Sequence, residues 1–351
     1  MTLPAYTSDT ATVSVEVEST SLSGDLGTSI QRVEVRQELD RPGSCTITSN
    51  DLDSDTYDWI DGGDVSEALS LKVTMGYTSD SAAVFDGEVT GLELDYSTES
   101  VTRVSIRGYD RLHRLARGRR TLAFLKKKDS DIAADIAKLN GLTAESTATS
   151  ITHEYVLQSE QTDLAFLLAR ARAIGFEVLT VGKALHFRPR QFTHSALLTV
   201  SRTEFSALNI RSSVIGQPGS VEIRGWDPAN QKPLIGKAAV SNLASVPSGQ
   251  STGLALADGS FKAVIAAAPG HAITVQAVAD AAAIAELETF ALDYVTCEGS
   301  LPGLHALKPG EVLEIADAGA RFSGEYYLTR VTHIYESGSY STDIVGKRRS
   351  T

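Results

Sequence analysis

Phe85-Asp86-Gly87-Glu88 is followed, 21 residues after Phe85, by Ile106-Arg107-Gly108, and the chain carries a counterpart near its other end. There Phe322-Ser323-Gly324-Glu325 is followed, 22 residues after Phe322, by Ile344-Val345-Gly346. A strand-like run precedes each copy, Leu69 to Gly76 and Glu311 to Ala316. The one-residue difference in spacing is what a turn or a β-bulge absorbs. Two related antiparallel β units in one chain of 351 residues restrict the possible folds sharply. They also carry a geometric consequence: three such chains would present six near-equivalent faces around an axis. The alternative, a chance similarity of short motifs, would leave the two ends unrelated.

Between the repeats the periodicity changes. From Thr12 to about Gly108, apolar residues alternate with period two (Val13, Val15, Val17; Leu71, Val73, Met75; Val104, Ile106) between turn clusters, the pattern of a barrel or sandwich. The stretch DSDIAADIAKLNGL then predicts a helix capped by Asp129 or Ser130, with Ile132, Ile136 and Leu139 on one face. A second helix is predicted from near Ser159–Thr162 to Gly175, followed by the strand pair FEVLTVGKALHFRP. Strands resume around residues 196–200, 207–210 and 220–224. The Ala/Ser/Gly-rich segment 227–271 reads as an elaborated loop or insertion, residues 275–292 as an Ala-rich helix, and 295–345 as strands again. The expected fold is α+β and mainly β: two related tube-like antiparallel β-barrels, at residues 1–125 and 191–351, flanking a small α/β module at 126–190.

Composition narrows the function. Thirty-two basic against 44 acidic residues give a net charge of -12, which disfavours nucleic acid as a specific ligand. No leader-like N-terminus or window of about 20 apolar residues is present, so synthesis without a signal peptide and no membrane insertion are expected. Charge is blocked: residues 1–64 hold thirteen acids against Arg32, Arg36 and Arg41, whereas residues 103–128 hold ten bases against Asp110. Such blocks suit self-association, and a nucleic-acid patch is the competing reading of the basic one.

Signals for chemistry are weak. Asp51, Asp53, Asp55 and Asp58 resemble the start of a calcium loop, but Thr56 and Gly62 stand where such a loop needs Gly and Glu. Cys45 and Cys297 form no ligand set, and the seven histidines include no metalloprotease pattern. No nucleophile, base and oxyanion set can be assembled, so no catalytic, cofactor or metal residues are expected.

The ordered stretches VFDGEVTGLELDY, VSIRGYDRLHRLARGRRTLAF, DSDIAADIAKLNGL, QSEQTDLAFLLARARAIGFEV and LHFRP, with the closing LPGLHALKPGEVLEIADAGARFSGEYYLTRVTHIYESGSYSTDIVGKRR, resemble the baseplate hub family of contractile tails. That family includes the phage late-control D protein and the hub portion of type VI secretion valine-glycine-repeat spikes. The resemblance covers about residues 65–226 and 275–349. It implies a homotrimer, two tube-like barrels per chain, that joins a hexameric inner tube to a trimeric spike in a phage tail or injection-particle baseplate. Gly108, Tyr109, Asp110, Arg111 and Arg114 match the family's GYDRxxRL motif, and Phe322, Gly324, Tyr326 and His333 its closing motif; both are expected to serve fold and assembly. The sequence stops at Thr351, just after the hub, so the resemblance implies a separate spike protein, alongside the inner tube protein and other baseplate proteins as partners. Two rival readings stay open, a carbohydrate- or protein-binding β module and a cell-wall hydrolase. An acidic bore is a further expectation, from the net charge.

Overall fold

In the computed structural model, which describes residues 9–21, 30–50, 65–96, 103–243, 246, 250–261, 265–267 and 273–351, the period-two runs at both ends become strands. The N-terminal set is β1 (Ala11–Val17), β2 (Thr20–Ser21), β3 (Ile30–Glu38), β4 (Ser44–Asn50), β5 (Ser70–Tyr77), β6 (Ser81–Asp95) and β7 (Arg103–Asp110). Alternation sends Val15, Val33, Val35, Ile47, Leu71, Val73 and Ile106 to one face, where they close an apolar core. The calcium-like stretch 51–62 lies outside the described residues.

The module that follows consists of β8 (Arg120–Lys128), α1 (Asp129–Leu139), β9 (Thr143–Ser146), β10 (Thr152–Gln161), α2 (Asp163–Ala173), β11 (Phe176–Val181) and β12 (Ala184–Pro189). β8 pairs with β10, and β11, β12 and β9 form a second small sheet. Thr162 caps α2 by accepting a hydrogen bond from the Ala165 amide at 3.1 Å, and Gly175, at φ +69°, takes the left-handed turn that ends it. Lys128, rather than Asp129 or Ser130, is the N-cap of α1. Asp129 is instead the first helical residue, and its buried carboxylate is bound by Arg170 Nε at 2.6 Å and His153 Nε2 at 3.0 Å. The module's core reaches back to Leu112, Leu115 and Phe124, short of the expected limit at residue 126, because the chain leaves the large sheet in a 3-10 turn at Arg111–Ala116.

The C-terminal part contains β13 (Leu198–Ser201), β14 (Ala207–Ser212), β15 (Ser220–Asp227), β16 (Lys232–Ala239), α3 (Gly253–Phe261), β17 (Ile265–Ala267), α4 (Gln276–Leu292), β18 (Val295–Pro302), β19 (Val312–Ala316), β20 (Gly324–Glu336) and β21 (Ser339–Arg348). Where it is described, the segment read as an elaborated loop or insertion contains strands and a helix. β16 pairs antiparallel with β15 over its whole length, and Leu234 and Ala238 pack with α4 and α3 into a separate apolar core. Its period-two signal is carried by Leu234, Gly236 and Ala238, and small residues give a hydrophobic pattern little amplitude. Gly236 is required there, because a Cβ would lie 2.1 Å from the Ala279 carbonyl oxygen of α4.

Both β units belong to one 13-stranded sheet. In the first, β3, β4, β7, β6, β5 and β1 lie side by side in that order; in the second the order is β14, β18, β21, β20, β19 and β13. The correspondence holds residue by residue. Val35, Cys45, Gly108, Val89 and Leu71 of the first unit occupy the pairing positions of Ile210, Cys297, Gly346, Leu328 and Leu313 in the second. A bulge falls at the same place in each, between Val89 and Gly91 and between Leu328 and Arg330. The skipped residue is a threonine both times: Thr90 Oγ1 donates to the Arg107 carbonyl at 3.3 Å, and Thr329 Oγ1 to the Val345 carbonyl at 3.2 Å.

Three differences separate the copies. The last pairing is antiparallel in β1–β5 but parallel in β13–β19. The link between β3 and β4 spans residues 39–43, whereas the equivalent link between β14 and β18 spans 213–294 and holds the separate core. The FxG motifs, finally, are two residues out of step: strand register matches Phe85 with Gly324, while Phe322 ends a single helical turn. Only Ile106-Arg107-Gly108 and Ile344-Val345-Gly346 are true equivalents.

Candidate functional site

The two motif groups form separate clamps. At the end of β7, Asp110 caps the 3-10 turn: one carboxylate oxygen accepts the Leu112 amide at 3.0 Å and the other the Gly43 amide of the β3–β4 turn at 2.8 Å. Burial pushes this carboxyl up to about 6, and the two amides oppose that rise. The next residues converge on β6. Arg111 Nη1 donates to Asp86 Oδ1 at 2.6 Å, His113 Nε2 lies 2.8 Å from Glu88 Oε2, and Arg114 donates to both Glu88 oxygens. Burial alone would raise the Glu88 carboxyl, but the bonds from Arg114 and His113 outweigh it and hold it below the ordinary glutamate value. Gly108 faces the core, where a Cβ would meet Leu71 Cδ2 at 2.7 Å. Tyr109 is half exposed on the opposite face, with its ring 6.5 Å from that of His113.

In the closing motif, the Tyr326 hydroxyl donates to the Phe322 carbonyl at 2.7 Å. Gly324 sits at φ +136° against the Arg348 guanidinium, which donates to the Ser323 carbonyl at 2.7 Å and lies over the Tyr326 ring. His333 is fully buried between the Leu307 carbonyl, 3.2 Å from Nε2, and the Tyr340 hydroxyl, 2.9 Å from Nδ1. Burial pushes its pKa down to about 4, so the ring is neutral. The two motif groups are not brought together, and the first also reaches the module, where Arg114 Nη1 donates to the Asn140 carbonyl at 3.2 Å.

Three features escaped sequence reasoning. Asp86 and Glu88, visible only as part of a repeat, are the acceptors of the first clamp. Glu177, wholly buried, accepts the Tyr327 hydroxyl and Arg188 Nε, the latter at 2.8 Å, and so ties the module to the second β unit. A lone acid in the apolar run FEVLTV was its signal. Part of the basic block is paired inside the chain, Arg107 with Glu93, Arg111 with Asp86, Arg120 with Asp163 and Lys127 with Asp135, and in the acidic block Glu38 pairs with Arg36.

Opposite the cores, the continuous sheet exposes a polar face. It carries a groove of about 680 Å³ running across β14, β18, β21, β20 and β3, lined by Arg32, Glu34, Arg36, Glu298, Arg330 and Asp343 among others. Arg32 bridges Glu34 at 2.8 Å and Glu336 at 2.7 Å. Both signs alternate here. Among the described residues no group of three or more His, Cys, Asp and Glu side chains is placed to hold a metal ion.

The family model described as the Alg8 N-terminal domain matches residues 7–337. The chain belongs to that family. No curated protein matches this Alg8 N-terminal domain chain. Among solved structures it is similar to the 43 kDa tail protein of prophage MuSo2 from Shewanella oneidensis, with a TM-score of 0.70 at 12% identity over 97% of this chain and 98% of that one. The tail protein from Neisseria meningitidis MC58 matches with a TM-score of 0.69 at 12% identity, covering 97% of each chain. The E. coli c3393 protein, a component of the type VI secretion system structurally similar to T4 bacteriophage tail proteins gp27 and gp5, matches with a TM-score of 0.57 at 15% identity over 95% and 76%. At such identities the likeness is one of fold: this Alg8 N-terminal domain chain has the mainly β fold of tail proteins, as the hub resemblance implied.

Proposed function

We propose that the chain is a structural baseplate hub of a contractile phage tail or a related injection particle, working as a homotrimer that adapts a hexameric inner tube to a trimeric spike. The observation that carries this reading is the duplication of one β unit, five of its six strands in register to the residue, within a single chain. Three copies supply six equivalent units, which is what a threefold object needs in order to mate with a sixfold one. The polar sheet face lines the bore, and its mixed charge suits a channel that binds no passing cargo tightly. The chain up to Asp110 acts as first unit, the stretch from Arg111 to about residue 190 as bracing module, and residues 191–351 as second unit. Assembly is in the particle baseplate, the other partners are baseplate proteins, and the role is mechanical, not enzymatic.

Mass and symmetry test it. Native mass spectrometry and electron microscopy of the purified chain, alone and with tube and spike proteins, are expected to give a threefold particle with six β units around a central channel. A stable monomer that binds neither partner would overturn the reading.

A further inference from the structure

The junction between the two units inside one chain predicts how the next chain attaches. After its bulge, β20 pairs with β21 on one side and, from Arg330 to Glu336, with β3 on the other. Thr332 lies opposite Arg36, His333 opposite Val35, and Tyr335 opposite Val33, with the Tyr335 side chain packed on the first unit's core. An ion pair, Arg32 with Glu336, spans the joint at 2.7 Å.

Duplication leaves the counterparts of these two strands without a joint of their own among the described residues. By the register above, β6 after its bulge is the equivalent of β20, and β14 is the equivalent of β3. Among the described residues Gly91–Asp95 pairs only with β7, and β14 only with β18. These free edges carry apolar side chains that a monomer leaves in water: Leu94 is 48% and Tyr96 68% exposed, while Leu208 and Ile210 are half-buried at the rim of the second core. Long unpaired edges of this kind are ordinarily covered or blunted.

We infer that the C-terminal half of β6 in one chain adds to the free edge of β14 in a second copy of the same chain, antiparallel and in the register of the internal β20–β3 joint. Transferring that register residue by residue sets Glu93 opposite Arg211, Leu94 opposite Ile210, Asp95 opposite Asn209 and Tyr96 opposite Leu208. Every pair is complementary, although the transfer used backbone positions alone. Tyr96 falls where Tyr335 falls, so it would reach into the neighbour's second core as Tyr335 reaches into the first. Among the described residues Arg211 makes no ion pair within its own chain. The contact is head-to-tail, so repetition closes a ring or propagates a filament. The inference deepens the hub reading and rests on it only for the number of copies.

Disulfide trapping in the full chain tests the register. Leu94→Cys with Ile210→Cys is expected to give covalent dimer and trimer on oxidation, whereas either single substitution, or Leu94→Cys with Leu208→Cys, gives little. Arg211→Glu is expected to weaken association about tenfold, read by light scattering, and Glu93→Arg in that background to restore it. As a check independent of substitution, backbone amides of residues 91–95 and 207–212 should exchange more slowly in the assembled protein than in dilute monomer. Assembled particles with no register-specific cross-link and unprotected edges would overturn the pairing and leave the hub standing. A chain that stays monomeric at high concentration, without cross-links and without binding tube or spike protein, would overturn both.

Discussion

Gly108 and Gly346 occupy the same point of the two β units, each in register with a buried cysteine, Cys45 in one and Cys297 in the other. A Cβ at residue 346 would lie 2.8 Å from Cys297 Sγ and 3.1 Å from Tyr326 Cβ. Gly346→Ala should therefore cost about 1–3 kcal/mol, and Cys297→Ala in the same chain should recover part of it by removing the sulfur. Urea midpoints of the two single variants and the double variant measure this, and strict additivity would show that the sulfur is not what excludes a side chain.

The clamp on Glu88 makes a second prediction. Its removal leaves Arg111, whose side chain is 5% exposed, together with His113 and Arg114, without their shared acceptor. Glu88→Ala should cost about 3 kcal/mol, as breaking buried ion pairs does, against at most about 1 kcal/mol for Glu93→Ala on the surface. Equal losses in thermal unfolding would contradict the clamp.

Acid should act through His333. The unfolded ring binds a proton below its ordinary pKa of 6.5, whereas the folded one resists until about 4. The unfolded state thus holds more protons in that window. The contribution of His333 is complete above pH 6.5 and is lost as pH falls to 4, by up to about 3 kcal/mol. Melting curves from pH 7.5 to 4.5 should be less steep in pH for His333→Phe than for the native chain; parallel curves would rule the residue out.

Tyr327→Phe removes the hydroxyl that the wholly buried Glu177 accepts. A loss of about 1–2 kcal/mol is expected, with faster amide exchange in β11, where the module meets the second unit. Unchanged exchange there would mean that the bond does not couple them.

What could be read directly was local. Alternation along Val13, Val15 and Val17, the threonine cap of α2 and the stop at Gly175 each depend on neighbours within a few residues, and they appear in the structure where the pattern placed them. The insertion was misread because Gly236 and Ala238 face the core with almost no apolar mass to mark the alternation. The ion pairs of the basic block could not be read for a related reason: Arg111 and Glu88 are apart along the chain but adjacent in the fold.

By itself the sequence determined that two β units repeat and that a small α/β module with two helices lies between them, because period, caps and glycine stops are properties of short segments. Tertiary structure alone decided the register of the repeat, the union of both units through β20 and β3, and which edges stay free. Strand pairing joins residues hundreds of positions apart, and a two-residue shift of the kind that separates the FxG motifs keeps the same face inward, so alternation cannot tell the two registers apart.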